Sequence, residues 1–361
     1  MSKIQHGGDI FEASRQLGVS PRSLLDFSVN LNPAGPPKDL YTFLGSVLRL
    51  TVYYPEPYSE TLTERIAHKY NLPNESVLCG AGTTPIIYQI PRLLKPKKTA
   101  IIGPAFAEYE EGLTAAGLKF TYFNAIPEED FLVTPELIER ALKSKPDLIF
   151  IANPANPTGR LVPQESLELL LAAAKGPKGI PVVIDEAFID FTINGNTSVS
   201  QVGPDSKVII LKSLTKLFAI PGLRVGYALG NPAIIEGLKA LTEPWQIGTV
   251  AQLTGHFLFQ QENYIKQTPA KVAALRQKLL VGLGTYRTYP SDANFVLISF
   301  IDEKPELAEL LIDHLFSKNI LVRDAGNFPG LIPGKFIRVA VKAEAANKKL
   351  IAGIKSLPAS S

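Results

Sequence analysis

Residues 207–229 read KVIILKSLTKLFAIPGLRVGYAL: a β-branched run, a polar turn around a single lysine, and a second apolar run. Val208–Leu211 shows none of the alternation of a half-exposed strand. A continuous Val/Ile-rich run of that length suits a parallel sheet covered on both faces. Comparable runs stand at 99-TAIIG, 148-LIFIA and 181-PVVID, with 225-VGYAL closing the set. Between them lie helical patterns, 85-PIIYQIPRLL, 106-FAEYEEGLTAAG, 135-PELIERALKS, 164-QESLELLLAAAKG and 232-PAIIEGLKALTE. Several open with Pro and two end at Gly, the usual helix punctuation, and the alternation predicts βα units.

Beyond about residue 265 the pattern changes to a long helix at 269-PAKVAALRQKLLVGL, separated strands at 295-FVLISF, 320-ILV and 336-FIRVA, and a helix at 305-PELAELLIDHLF. The expected fold class is therefore α/β, with a large domain built on a mostly parallel central sheet over 41–265 and a smaller α+β domain over 266–361. Residues 1–40 form an N-terminal arm packing with the small domain. The arm contains a short helix from Ile10 to Leu17 and the Pro/Gly-rich 32-NPAGPP. No internal repeat is present.

Composition bounds the function. In 361 residues the formal charge is only +3, with both signs interleaved, so no basic stripe for nucleic acid is expected. One cysteine, Cys79, and four scattered histidines, His6, His68, His256 and His314, lack the spacing of a disulfide framework or a metal site, so no metal is expected. Cys79 stands in an apolar stretch and reads as a buried, inert thiol. The opening MSKIQHGGDIFEAS has no apolar core of a leader, and no run approaches a membrane span. No membrane partner is expected, and the expected setting is cytoplasmic.

Three polar clusters fall where central strands end, the usual ligand position of open α/β sheets. They are 153-NPANPTG, Asp185-Glu186-Ala187 and 213-SLTKLFAIPGLR. Together they supply what pyridoxal 5′-phosphate (PLP) needs: an amine for the Schiff base, a carboxylate for the ring nitrogen and donors for the phosphate. Lys216, flanked by Leu214, Leu217 and Phe218, is the expected amine, its charge disfavoured by desolvation. Asp185 closes an apolar strand, where a buried carboxylate calls for a cation. Ser213 and Arg224 are candidate phosphate ligands. The turn 80-GAGTT, with Gly82 and Thr83, leads into a helix whose N-terminus would face the same phosphate. Asn156 can donate to the ring's phenolic oxygen and Phe106 can stack on its face.

Two other motifs compete for the same residues. Ser213–Lys216 matches S-x-x-K, but K-T-G and S-D-N are missing and 291-SDAN is only a near miss. VVIDE resembles a Walker B strand, yet no phosphate-binding G-x-x-x-x-G-K-[ST] accompanies it, and 330-GLIPGKF has the wrong spacing.

Over nearly the whole chain, through 153-NPANPTG, 182-VVIDEAFIDF, 213-SLTKLFAIPGLRVGY and 336-FIRVAV, the sequence resembles fold-type I PLP enzymes of the histidinol-phosphate aminotransferase branch. Within that branch 6-HGGDIFEAS, 25-LDFSVNLNPAGPP, 103-GPAFAEYE, 244-PW and 320-ILVRDAGNFPGL resemble the threonine-phosphate decarboxylases of cobalamin synthesis. The resemblance implies decarboxylation of L-threonine O-3-phosphate to (R)-1-amino-2-propanol O-2-phosphate. It implies that Lys216 holds PLP, that Asp185 faces the ring nitrogen, and that Asn156 bridges cofactor and substrate. His6, Gly7, Asn30, Arg323 and Arg338 would line the substrate site. Tyr58, in 54-YPEPYSE, would reach the cofactor phosphate of a neighbouring subunit, implying a homodimer with shared active sites.

Physically, two arginines suit a phosphoamino acid that carries a carboxylate and a phosphate. The bond at Cα that stands perpendicular to the cofactor plane is the one that breaks, so orientation decides between decarboxylation and transamination. His6 and the arm are expected to help set that orientation, and Lys216 is the nearest acid to return a proton to Cα. Departures from the family pattern are Thr83 and Thr84 in the phosphate turn, and Gly248 where Asn is common. The last leaves L-serine O-phosphate as an alternative substrate giving ethanolamine phosphate, since one methyl group discriminates by only ~1–3 kcal/mol. A histidinol-phosphate-type aminotransferase and a PLP-fold protein without turnover are the further alternatives.

Overall fold

The apolar runs form strands whose alternate residues serve two separate cores. In the computed structural model, which describes residues 7–284, 286–304 and 306–358, Ile149, Ile151, Val182, Ile184, Val208 and Ile210 pack on one side of the main sheet. Leu148, Phe150, Val183, Ile209 and Leu211 pack on the other. Both faces being apolar, periodicity of two is lost from the sequence although it persists in space.

The main sheet has seven strands in the order β2 (Val77–Gly80), β8 (Gly226–Gly230), β7 (Val208–Ser213), β6 (Val182–Asp185), β5 (Leu148–Ala152), β3 (Thr99–Gly103) and β4 (Phe120–Asn124). Five of its seven strands are the apolar runs of the sequence; β2, β4 and the direction of β8 were not anticipated. β2 is only four residues long. It is buried throughout but too short to stand out, while β4, FTYFN, is a partly exposed edge strand with no buried apolar run. β8, the 225-VGYAL run, is antiparallel to both its neighbours. The β7–β8 connection has only a one-turn helix, Leu214–Leu217, and a 3₁₀ turn, Pro221–Leu223, and no covering helix for a parallel crossover.

A four-stranded antiparallel sheet follows, in the order β12 (Arg323–Asp324), β13 (Phe336–Ala340), β10 (Phe295–Ser299) and β9 (Arg287–Thr288). Helices Leu307–Ser317 and Glu344–Lys355 cover it around Phe27, Val296, Leu311, Val339 and Leu350. The segment 320-ILV divides: Ile320–Leu321 is β11, which pairs in parallel with β1 (Leu25–Asp26), while β12 joins the larger sheet. The Ile10–Leu17 helix forms as expected, with Asp9 capping its start and Gly18 left-handed at its end.

The long helix departs from expectation. It runs Glu262–Gly282 with Pro269 in its interior, not at its first turn. Thr268 Oγ1 donates to the Tyr264 carbonyl at 2.9 Å just before the proline, a back-bond of the kind that bends helices. Among the described residues no helix is long and apolar enough to cross a membrane.

Candidate active site

β5, β6 and β7 end side by side, which brings the three polar clusters to one cavity of about 310 Å³. Gly82, Thr83, Phe106, Asn156, Asp185, Ser213, Lys216 and Arg224 line it from the main sheet. Gly7 and Asn30 line it from the N-terminal segment, and Arg323 and Arg338 from the four-stranded sheet. Tyr58 does not. It is half-buried elsewhere, with the Lys239 ammonium 4.6 Å from its ring centroid. His6 lies outside the described residues. Gly248 precedes the helix Thr249–Leu258 and does not reach the cavity among the described residues.

Asp185 ends β6 with both carboxylate oxygens engaged. Oδ1 accepts the Ala187 N–H at 2.9 Å and Oδ2 accepts the Tyr109 hydroxyl at 2.8 Å. Burial pushes its carboxyl above the ordinary value, against the Ala187 amide, Tyr109 and Lys216. Tyr109 was not foreseen from sequence. It stacks on Phe150 at 5.2 Å and meets Phe106 edge-on at 5.9 Å. Its signal was its place three residues after Phe106, in the first turn of the helix Glu108–Ala115 that follows β3.

Lys216 is half-buried in the Leu214–Leu217 turn, between buried Thr215 and Leu217. Burial first, then the Arg338 and Arg224 guanidiniums, push its ammonium down to about 8, against the pull of Asp185. A free amine is thus within reach near neutral pH. The turn is fixed from within by Ser213 Oγ and Thr215 Oγ1, 2.8 Å apart. The N-terminal segment fixes it from outside: the Asn32 amide donates to the Lys216 carbonyl at 3.1 Å and Asn32 Nδ2 to the Leu217 carbonyl at 2.9 Å. Asn32, within NPAGPP, also escaped the sequence reading, because only the fold brings it to the lysine turn.

Gly82 adopts φ +86°, and a Cβ there would stand 2.5 Å from Arg224 Nη2. Only a residue without a side chain allows the guanidinium this close to the turn that opens helix Thr84–Leu94. A helix N-terminus, two threonine hydroxyls and one guanidinium make an anion cradle.

On the opposite wall Arg323 and Arg338 are direct cross-strand partners. Arg338 Nη1 donates to Asn156 Oδ1 at 2.6 Å and Nη2 to the Ser28 carbonyl at 2.7 Å. Its Nε and Asn30 Oδ1 are buried with no hydrogen-bond partner among the described residues. Burial and Arg323 push the Arg338 guanidinium down from its ordinary value. Like charges directly opposite repel, and a doubly anionic ligand would relieve them.

An amine, a buried carboxylate, an anion cradle and an aromatic wall fit PLP by donor chemistry and by the space reserved at Gly82. The profile of the family described as aminotransferase class I and II matches residues 25–356. The chain belongs to this family. As a member of the aminotransferase class I and II family it is a PLP-dependent enzyme with the fold-type I architecture. The chain is 32% identical over 356 residues to the threonine-phosphate decarboxylase of Salmonella typhimurium, covering 98% of this chain and 96% of that protein. It is 31% identical to the adenosylcobalamin biosynthesis bifunctional protein CobDQ of Leptospira interrogans, over 97% of this chain but only 41% of that longer protein. The structure superposes on histidinol-phosphate aminotransferase from Clostridium acetobutylicum with a TM-score of 0.83, at 29% identity, covering 92% of this chain and 98% of the other.

Proposed function

We propose that this enzyme decarboxylates L-threonine O-3-phosphate to (R)-1-amino-2-propanol O-2-phosphate. The observation that carries the reading is the Arg323–Arg338 cross-strand pair, facing the same cavity as Lys216 and Asp185. A substrate with one carboxylate and one phosphate matches two guanidiniums, each able to bind an oxyanion through paired N–H donors. The near-full-length similarity to a threonine-phosphate decarboxylase supports the same substrate class.

In this reading Lys216 holds PLP, Asp185 pairs with its ring nitrogen, and Gly82, Thr83, Ser213 and Arg224 take its phosphate. Phe106 covers the ring and Asn156 meets both cofactor and substrate. When bound, PLP supplies an electron sink for the pair left at Cα. Arg338, anchored by Asn156 and the Ser28 carbonyl, holds the substrate carboxylate in a fixed orientation, while Arg323 with Gly7, Asn30 and His6 takes the phosphate end. Lys216 Nζ, protonated in part near neutral pH, is the acid that donates to Cα the proton taking the place of the departed CO2.

Tyr58, away from this cavity, serves the phosphate of a second subunit's cofactor, and the active species is a homodimer with shared sites. An exposed apolar stretch that includes Tyr41, Val52, Tyr53 and Tyr54 supports such an interface. The polypeptide then divides into an arm over 1–40, a PLP-binding domain over 41–265 and a small domain over 266–361.

The test is product analysis with purified holoenzyme. CO2 should be released from L-threonine O-phosphate without any keto acid, and not by Lys216→Ala. Stoichiometric glutamate from the same amine in the presence of 2-oxoglutarate, with no CO2, would sink the reading in favour of transamination.

A further inference from the structure

Two guanidiniums opposed across β12 and β13 need something to hold them together before an anion arrives. Arg323 Nη2 donates to Asn327 Oδ1 at 2.9 Å. Both guanidiniums also meet a single aromatic ring: the Phe328 centroid lies 5.2 Å from Arg323 Cζ and 5.4 Å from Arg338 Cζ. A ring face attracts a guanidinium by about 0.5–2 kcal/mol while leaving its N–H groups largely unused. The acceptors that Arg338 does meet, Asn156 Oδ1 and the Ser28 carbonyl, are likewise neutral.

Phe328 is itself fixed. It is buried yet lines the cavity. Its turn is closed by the Phe328 amide on the Ala325 carbonyl at 3.1 Å and by the Leu331 amide on the Phe328 carbonyl at 3.0 Å. The next residue's carbonyl, Pro329, accepts the Ala105 N–H at 3.3 Å, tying the turn to the segment that carries Phe106. Gly326 N–H closes the other side on Asp324 Oδ1 at 2.8 Å. A ring so anchored can set the spacing of two otherwise repelling side chains.

We propose that Phe328 is a specificity-determining positioning residue, a shared cation–π platform that holds Arg323 and Arg338 for a doubly anionic substrate and so selects phosphorylated over unphosphorylated amino acids. This rests on the phosphoamino-acid reading above.

The experiment compares L-threonine O-phosphate with L-threonine on PLP-loaded wild type, Phe328→Leu, Phe328→Tyr and Phe328→pentafluorophenylalanine. Equilibrium binding is followed by the change in the cofactor's visible absorption, with KM and kcat measured alongside. The fluorinated ring keeps the shape but reverses the charge of the face, so it tests the platform even if the leucine variant fails to fold. Losing the π-face should weaken the phosphorylated ligand by about tenfold or more and the plain amino acid by less than about twofold, with kcat within about twofold. Phe328→Tyr should remain within about threefold of wild type. Equal weakening of both ligands, or a fall in kcat at unchanged affinity, overturns the platform alone. A wild-type enzyme with no preference for the phosphorylated ligand overturns the platform and the phosphoamino-acid reading together.

Discussion

Lys212, buried, and Lys216, half-buried at the cavity, lie on the same segment, and their surroundings drive them in opposite directions. Lys212 Nζ stands 3.4 Å from Glu186 Oε2 and 3.5 Å from Asp190 Oδ2. Burial alone would lower it, but Asp190, Tyr70 and Glu186 together hold it above its ordinary value. Its neighbours are also satisfied. Glu186 accepts the Ser198 amide at 2.6 Å and the Thr197 hydroxyl, and the Tyr70 and Tyr227 phenols meet at 2.9 Å. Lys216, one turn on, faces a single carboxylate and two guanidiniums, and burial wins. Burial by itself therefore does not make a lysine reactive; the sign and number of its neighbours decide. The first lysine rivets β6 to β7, and the second is presented by the frame thus fixed.

Exchanging the two lysines' roles should produce crossed effects. Lys216→Ala is expected to lower turnover by about 10⁴-fold or more, with thermal stability equal to or above wild type because a costly desolvated amine is gone. Lys212→Met leaves Glu186 and Asp190 without their cation and should cost about 3–5 kcal/mol in urea unfolding, while the folded fraction still takes up PLP. Adding Glu186→Gln to Lys212→Met should recover much of that loss. Unchanged stability in Lys212→Met would show that the network holds nothing together.

The contrast also shows what sequence could and could not reveal. The parallel strands were legible because two-sided burial leaves continuous Val/Ile runs, and the meeting of Lys216 and Asp185 at one cavity was legible because such strands deliver side chains at their carboxyl ends. Nothing local distinguished Lys212 from a solvated lysine; its partners, Glu186 and Asp190, lie just past the end of β6 and in the turn that follows. β4 was missed since an edge strand carries no buried run, and the antiparallel direction of β8 was not foreseen since a short apolar strand reads alike both ways. Asn32, Tyr109 and Phe328 act through contacts with distant residues. Cys79 behaved as its apolar context predicted, buried with its thiol pushed up to about 12.

A smaller change tests the carboxylate that serves the reactive side. Tyr109→Phe removes the hydroxyl donor to Asp185 Oδ2 without altering ring volume. That donor favours the ionised carboxylate, so its loss should lift the Asp185 carboxyl further and weaken the pairing with a cationic ring nitrogen. A buried hydrogen bond of this kind is worth about 1–2 kcal/mol, and PLP affinity measured by equilibrium dialysis should fall by about tenfold. Unchanged affinity would assign Tyr109 to packing against Phe150 only.

The smallest effect is a slope. If Lys216 forms the Schiff base, as proposed, only its neutral amine can do so, and in the folded apoprotein its surroundings hold that amine down at about 8. The rate of PLP uptake should rise about tenfold per pH unit at lower pH and level off through about 8. The same displacement has a stability consequence. Between about 8 and the ordinary lysine value the unfolded chain binds more protons than the folded one, so apoprotein stability gains from this group as pH rises through that window. Arg338→Met, by removing the larger of the two charge contributions, should move the midpoint of uptake upward, whereas Lys212→Met should leave it in place. A midpoint that ignores Arg338 but follows Lys212 would mean that the sealed network, and not the open cavity, sets the reactivity of Lys216.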